Sequence, residues 1–267
     1  VSVARPAWSE RRILAAIVLL DALGNRVRVP VAASAQGGTI RQKEAGMLLV
    51  AGAPGLADHA ARFAAPLGVP ALGSVELAVD LVPSDPALAR RAAVVPLPRD
   101  PDPAAAGNAN SLFRPQEIVL WPSPLAAPTG LAAALRVTLR RADDRRRIEG
   151  AVVRVQPDGR PPALALTDAA GEALLLVAGV PLATPGGGAV VLPDIGATVM
   201  ARVDPAVARF HAEADLAAAR ADAARRHAGL PDPDALLTRA GATATADHPV
   251  RLAAGRTRHI DLDWTPP

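Results

Sequence analysis

The strongest constraint on how this chain folds is a period-two alternation of aliphatic and polar residues. Val75, Leu77, Val79 and Leu81 alternate with Glu76, Ala78 and Asp80, and Val27, Val29 and Val31 with Arg28 and Pro30. Leu135, Val137 and Leu139 alternate with Arg136, Thr138 and Arg140, and Ile260, Leu262 and Trp264 with His259, Asp261 and Asp263. Successive side chains of a strand point to opposite faces, so each row predicts a strand with one buried face. Shorter rows add Ala151, Val153 and Val155, then Leu164 and Leu166, then Leu174 and Leu176. Punctuated by Gly and Pro turns, these strands predict a mainly β chain built of Ig-like β-sandwiches.

What can fill such cores follows from which large side chains are present. There is no Tyr, Phe occurs only at 63, 113 and 210, and Trp only at 8, 121 and 264. The cores are therefore expected to be Val, Leu, Ile and Ala, each buried Val, Leu or Ile contributing about 1.5–3 kcal/mol. The same shortage argues against single-stranded nucleic-acid platforms, carbohydrate-stacking clefts and aromatic cages, all of which need exposed rings.

At 267 residues the chain favours two domains over one. Ile118–Trp121, bracketed by Pro115 and Pro122, reads as the last strand of the first half, and Pro122–Pro128 as a semi-rigid linker. The expected domains are 1–124, carrying a Pro-rich surface loop at 96–115, and 131–267, carrying a helical excursion at 204–240. In that excursion Asp204 reads as an N-cap, Pro205 as the first helical residue, Gly229 as the exit and Pro231 as the stop. Val207, Phe210, Ala214, Ala217, Ala221 and Ala224 would then line one face, with Asp222 and Arg226 as an i,i+4 pair. Gly46–Pro54 and Ala173–Pro181 echo one another, each an apolar strand leaving through a Gly-x-Pro bend.

Ile13–Leu20 follows Arg11-Arg12 but is too short to cross a bilayer, and runs into Asp21, Gly24 and Asn25 without an Ala-x-Ala pattern. It reads as the first strand, and with no signal peptide or transmembrane segment read elsewhere the chain is expected in the cytoplasm or in an assembled particle. The absence of Cys removes disulfides, thiolate zinc sites and a cysteine nucleophile. Net charge is only +3, with Lys43 the sole lysine, which is no footprint for nucleic acid.

Candidate chemistry is sparse. His259, Asp261 and Asp263 share one strand face, and His211 lies near Glu213 and Asp215. Imidazole and carboxylate suit zinc-like ions, but a solvated polar face accounts for the same residues. No Gly-x-Ser-x-Gly exists, and Gly186–Gly188 lacks the Gly-Lys-Ser/Thr of a phosphate loop, so it reads as a hairpin tip. Arg140, Arg141, Arg145, Arg146 and Arg147 enclose Asp143 and Asp144, which predicts a self-compensating hairpin. Its exposed arginines suit a protein interface.

One stretch carries a family resemblance. Thr167 is expected to end a strand, Asp168 to cap its own turn, and Gly171 to supply a positive φ before the strand at Ala173. Gly150–Val155 followed by Ala165–Val177 resembles the carboxypeptidase regulatory-like, or transthyretin-like, domain family. Val250–Gly255 and His259–Asp263 resemble that family's final hairpin, so the likeness covers about residues 131–264. It implies a seven-strand-type sandwich used as an accessory or interaction module, without peptidase chemistry; the helical excursion departs from the family pattern. Leu19–Val27 is similar to the opening strand and turn of related modules. Paired modules of this kind look like components of phage-tail-like particles such as contractile injection systems.

The expectation is thus a non-enzymatic structural or interaction protein without cofactor, docking on protein subunits or on copies of itself and not on nucleic acid or membrane. Phe210, Ala214, Ala217, Ala221, Arg140, Arg145 and Arg147 are the interaction candidates. A soluble metal- or ligand-binding module and a secreted adhesion-like protein are the alternatives. Elemental analysis of the purified protein is expected to find no stoichiometric metal, unchanged by His259→Ala; bound metal lost in that variant would favour the metal-binding alternative.

Overall fold

A computed structural model describes residues 12–61, 68–128, 130–181, 194–225 and 232–267. The chain is mainly β. Its N-terminal strands are β1 (Ala15–Asp21), β2 (Val31–Ala35), β3 (Thr39–Glu44), β4 (Met47–Gly52), β5 (Val75–Pro83), β6 (Arg91–Leu97) and β7 (Gln116–Leu120), with a short helix α1 (Ala57–Ala61) after β4. They form a four-stranded sheet in the order β3-β4-β1-β7 and a three-stranded sheet in the order β2-β5-β6. The apolar run at 13–20 is the strand β1, burying Ala15, Ile17 and Leu19. Strand β5 buries Leu77, Val79 and Leu81 in the predicted alternation. Strand β2 begins only at Val31, later than the alternation from Val27 suggests. Pro30 has no N–H for a ladder, and its carbonyl instead accepts from the Ser84 N–H.

The chain gathers into two compact units that do not follow chain order. One takes the segments up to Leu19, Ala33–Val79 and Val94–Ile118; the other takes Leu20–Ala32, Asp80–Ala93 and Val119–Pro267. Strands β1, β2, β5, β6 and β7 thus belong partly to each.

Within the first unit, the Pro-rich loop after β6 has no ladder, as expected, yet it is organised. Arg99, buried, donates from Nε to Ser111 O and from Nη2 to Ala109 O and Arg114 O, at 3.0, 2.6 and 3.1 Å. Asp102 caps a 3₁₀ turn at Pro103–Ala105 through its side chain. One guanidinium, with donors in a fixed fork, closes the loop at several carbonyls.

The second unit holds a β-sandwich. Its strands are β8 (Ala133–Arg141), β9 (Arg147–Glu149), β10 (Val152–Pro157), β11 (Ala163–Leu166), β12 (Glu172–Val177), β13 (Asp194–Val203), β14 (Arg209–His211), β15 (Thr243–Ala244), β16 (His248–Ala253) and β17 (Thr257–Trp264). One sheet runs β11-β10-β13-β15 with β16 also on β13; the other runs β12-β8-β9-β14 with β17 on β8. A single core joins the two sheets: Leu135, Val137 and Leu139 of β8 and Leu262 of β17 meet Val153 and Val155 of β10 and Val199, Ala201 and Val203 of β13. Aliphatic residues fill it, as composition requires, apart from Trp264, which is 1% exposed. The outer face of β8 and β12 is covered too. Leu174 and Ala134 pack on Ala126, while Arg136 donates to the carbonyls of Pro124 and Ala126. Pro122–Pro128, read from sequence as a linker, is therefore fastened to the sheet.

The helical reading is corrected over 204–215. Asp204 does cap, accepting from Ala206 N–H at 2.9 Å, but it caps only a turn. The chain then pairs as β14 on β9, with Phe210 opposite Ile148, before a 3₁₀ turn (Glu213–Asp215) and helix α2 (Leu216–Arg225). Pairing and burial of Phe210 outweigh the local cap signal. A second Asp-Pro pair starts α3 (Pro233–Thr238), where Asp232 accepts from Asp234 N–H at 3.0 Å. Trp8, Phe63, Gly186–Gly188, Arg226, Gly229 and Pro231 lie outside the described residues, as do the side chains of Asp222 and Ala224.

The turn at 167–172 has the predicted geometry. Thr167 pairs with a single alanine twice, its N–H donating to Ala151 O and its Oγ1 accepting from Ala151 N, both at 2.9 Å. Asp168 Oδ1 accepts from Ala170 N and Glu172 N at 2.8 and 2.9 Å, and Gly171 has φ +68°. Asp21-Ala-Leu-Gly-Asn25 builds the same turn, with Asp21 Oδ1 accepting from Leu23 N and Asn25 N at 2.8 and 2.9 Å and Gly24 at φ +84°. The echoing segments 46–54 and 173–181 differ in setting: β4 lies between β3 and β1, whereas β12 pairs with β8.

These twin turns allow a paired test. A methyl at Gly24 meets nothing within 4 Å, whereas at Gly171 it lies 2.6 Å from Leu139 O and 3.1 Å from Ile148 N. Gly24→Ala is expected to cost about 1 kcal/mol, the left-handed backbone penalty alone. Gly171→Ala is expected to cost about 3 kcal/mol or more, because backbone must also move. Urea unfolding of both variants checks the ranking.

Candidate interaction surface

The arginines and carboxylates that sequence treats as separate features meet on one sheet edge. Strand β17 runs parallel to β8, with Thr257 opposite Ala134 and Trp264 opposite Arg141. That register carries the outward row His259, Asp261 and Asp263 alongside the arginines of β8 and the hairpin that follows. Arg140 pairs with Asp261. Arg145 Nη1 lies 2.8 Å from Asp263 Oδ1, and Arg147 Nε donates to Glu213 Oε2 at 2.9 Å. Inside the hairpin Arg141 holds Asp143 bidentately at 2.6 and 2.8 Å. Arg141 and Arg146 also lie 3.2 and 3.3 Å from Asp144. Arg140, Arg141, Arg145, Arg146 and Arg147 thus face Asp143, Asp144, Asp261, Asp263 and Glu213, five charges of each sign. The compensation predicted for the hairpin is present, and it extends to β17 and the 3₁₀ turn.

This arrangement uses the carboxylates of the candidate metal set. Asp261 and Asp263 are each held by an arginine, His259 is exposed, and among the described residues no group of three His, Asp or Glu side chains is placed to hold a metal ion. Arg145 sits at φ +62°, a left-handed conformation unusual for a residue with a Cβ. It brings the guanidinium to Asp263.

The remaining interaction candidates separate. Phe210 is half-buried, its ring stacked on Trp264 with centroids 6.0 Å apart and planes at 28°, and the Arg141 guanidinium lies 5.6 Å from its centroid. It serves the sandwich and not a helix face. Ala214, Ala217 and Ala221 are exposed, while Leu216 and Ala219 turn inward, so the apolar stripe read from sequence is out of phase with the buried side of α2.

Besides Arg99, three buried charged groups take partners that no local sequence signal assigns. Glu149, 3% exposed, accepts from His211 Nε2 at 2.7 Å and lies 3.6 Å from Arg209 Nη1, fastening β14 to β9. Asp204 pairs with Arg239 at 3.2 Å. Arg91, 4% exposed, donates to Val119 O at 2.6 Å, pairs with Asp234, lies 3.8 Å from Asp232 and stacks over Trp121. The available signal was a charge bordering an apolar run, as in Arg91-Ala-Ala-Val-Val and Glu149-Gly-Ala-Val-Val.

No family model matches the chain, and no curated protein does. Among solved structures, BcpA, the major pilin subunit of Bacillus cereus, aligns over 95% of this chain at 6% identity and a TM-score of 0.23. The chain spans 60% of that pilin's length. At this level of similarity the pilin's role does not bear on this chain. No helix among the described residues is long and apolar enough to cross a membrane.

The bidentate hydrogen bond from Arg141 holds the Asp143 carboxyl below the usual aspartate range and raises the Arg141 guanidinium. A depressed folded-state value means that the pair's contribution is present above the ordinary aspartate pKa and lost as pH falls through the lowered one. Asp143 is exposed and Arg141 only partly covered, so the expected readout is local. NMR titration should show Asp143 protonating below ordinary aspartates, and Arg141→Gln should return it to the ordinary range.

Proposed function

We propose that the chain is a non-enzymatic scaffold that acts through protein contacts, as an accessory component of a larger protein assembly. The observation that carries this reading is the employment of its charged side chains. Buried Arg91, Arg99, Glu149 and Asp204 tie loops and short elements to sheets, and the surface arginines of the 140–147 segment are matched by carboxylates. A matched mosaic of this kind gives little pull on a polyanion but supplies directional donors and acceptors for another protein surface. Exposed Val69 and Phe113 in one unit, and Leu125 and Leu131 in the other, add apolar contact points. A phage-tail-like contractile injection particle is the assembly to which the resemblance of the paired modules points.

Sedimentation of the protein from its native source tests the reading. It is expected to travel with a high-mass particle and to be cross-linked there to partner subunits, or to further copies of itself, through the Arg140–Arg147 face. A free monomer without a partner in that setting would overturn it.

A further inference from the structure

We propose that the sandwich of the second unit is a tension-bearing element, loaded in shear between its first strand, β8, and its last, β17. The two strands are neighbours and parallel over eight residue pairs, from Thr257–Ala134 to Trp264–Arg141. The ladder continues past both ends. Gly255 N donates to Ala132 O at 3.2 Å, Ala134 N to Arg256 O at 2.9 Å, and Ala142 N to Trp264 O at 2.8 Å. In a parallel pair the chain enters β8 at one end of the ladder and leaves β17 at the other. Tension between residues 132 and 265 therefore pulls along the strands, and the whole ladder must yield together. Tension between the two strand starts would peel it one bond at a time.

Side chains reinforce the same direction. Arg140–Asp261 and Arg145–Asp263 tie β8 and its hairpin to β17. At the exit end Trp264 is buried, stacks on Phe210 and donates from Nε1 to Thr243 Oγ1 at 3.0 Å, which anchors β17 where force would leave it. The inference rests on strand geometry and stands apart from any particular assembly.

The chain has no cysteine, so introduced thiols are unique handles. Exposed Leu131, Thr265 and Arg256 give two geometries on the full chain. Leu131→Cys with Thr265→Cys loads the ladder in shear, and Leu131→Cys with Arg256→Cys peels it. Single-molecule pulling is expected to give a rupture force at least about twice as high in shear, because forced unfolding is set by the barrier along the pulling direction. Asp261→Asn with Asp263→Asn is expected to lower the shear force and leave the peeling force unchanged. Equal forces for the two handle pairs, or an equal drop of both in the double variant, would overturn the proposal. Should one cysteine pair prevent folding, Ala132→Cys with Pro267→Cys and Ala132→Cys with Thr257→Cys repeat the two directions.

Discussion

The second unit depends on the pairing of β17 with β8. Strand β8 already pairs with β12 and touches β9, so the last strand of the chain completes its second side. Without β17, Leu262 and Trp264 would leave the core, Phe210 would lose its stacking partner, and Asp261 and Asp263 would leave Arg140 and Arg145 unopposed. Burial of aliphatic surface supplies most of the stabilisation, but this pairing brings the last strand's residues into the core. The outward row of β17 and the hairpin after β8 become one charged face for the same reason.

A second theme is the use of guanidinium groups as fasteners. The chain has 28 arginines and one lysine. Arg99 closes a loop on three carbonyls, Arg136 holds the 122–128 segment by two, and Arg202 reaches Leu237, Ala242 and Arg239 carbonyls at 2.8, 3.0 and 3.4 Å. A rigid fork of donors can satisfy several carbonyls at once, whereas an ammonium is a point charge on a flexible stem. In a chain so poor in aromatics, these forks organise segments that have little apolar surface of their own. These arginines serve the fold, and a high arginine content is not by itself evidence for a polyanion partner.

The legible parts were those written locally. Alternation located the strands around Leu77, Val137, Val153 and Leu262, and the Asp-x-x-Gly pattern located the turn at Asp168, because both signals depend on residues within a few positions of one another. The helical reading failed over 204–215 because Asp204-Pro205 is a true cap signal that tertiary pairing of Phe210 with Ile148 cuts short. Arg91, Arg99 and Glu149 were passed over because nothing beside them in sequence marks them as buried, and each acquires its meaning from a partner ten or more residues away.

By itself the sequence determined that this chain is a β protein with aliphatic cores, that the stretches around Leu77, Val137, Val153 and Leu262 are strands, where the tight turn at 167–172 must fall, and that no thiol chemistry is open to it. Only the tertiary structure decided that β8 and β17 lie side by side and parallel, that Asp261 and Asp263 neutralise arginines, and that Pro122–Pro128 is bound to a sheet. Strand identity is set by neighbours in sequence, two residues apart. Strand partnership and ion pairing are set by burial and register between segments more than a hundred residues apart, which no local pattern encodes.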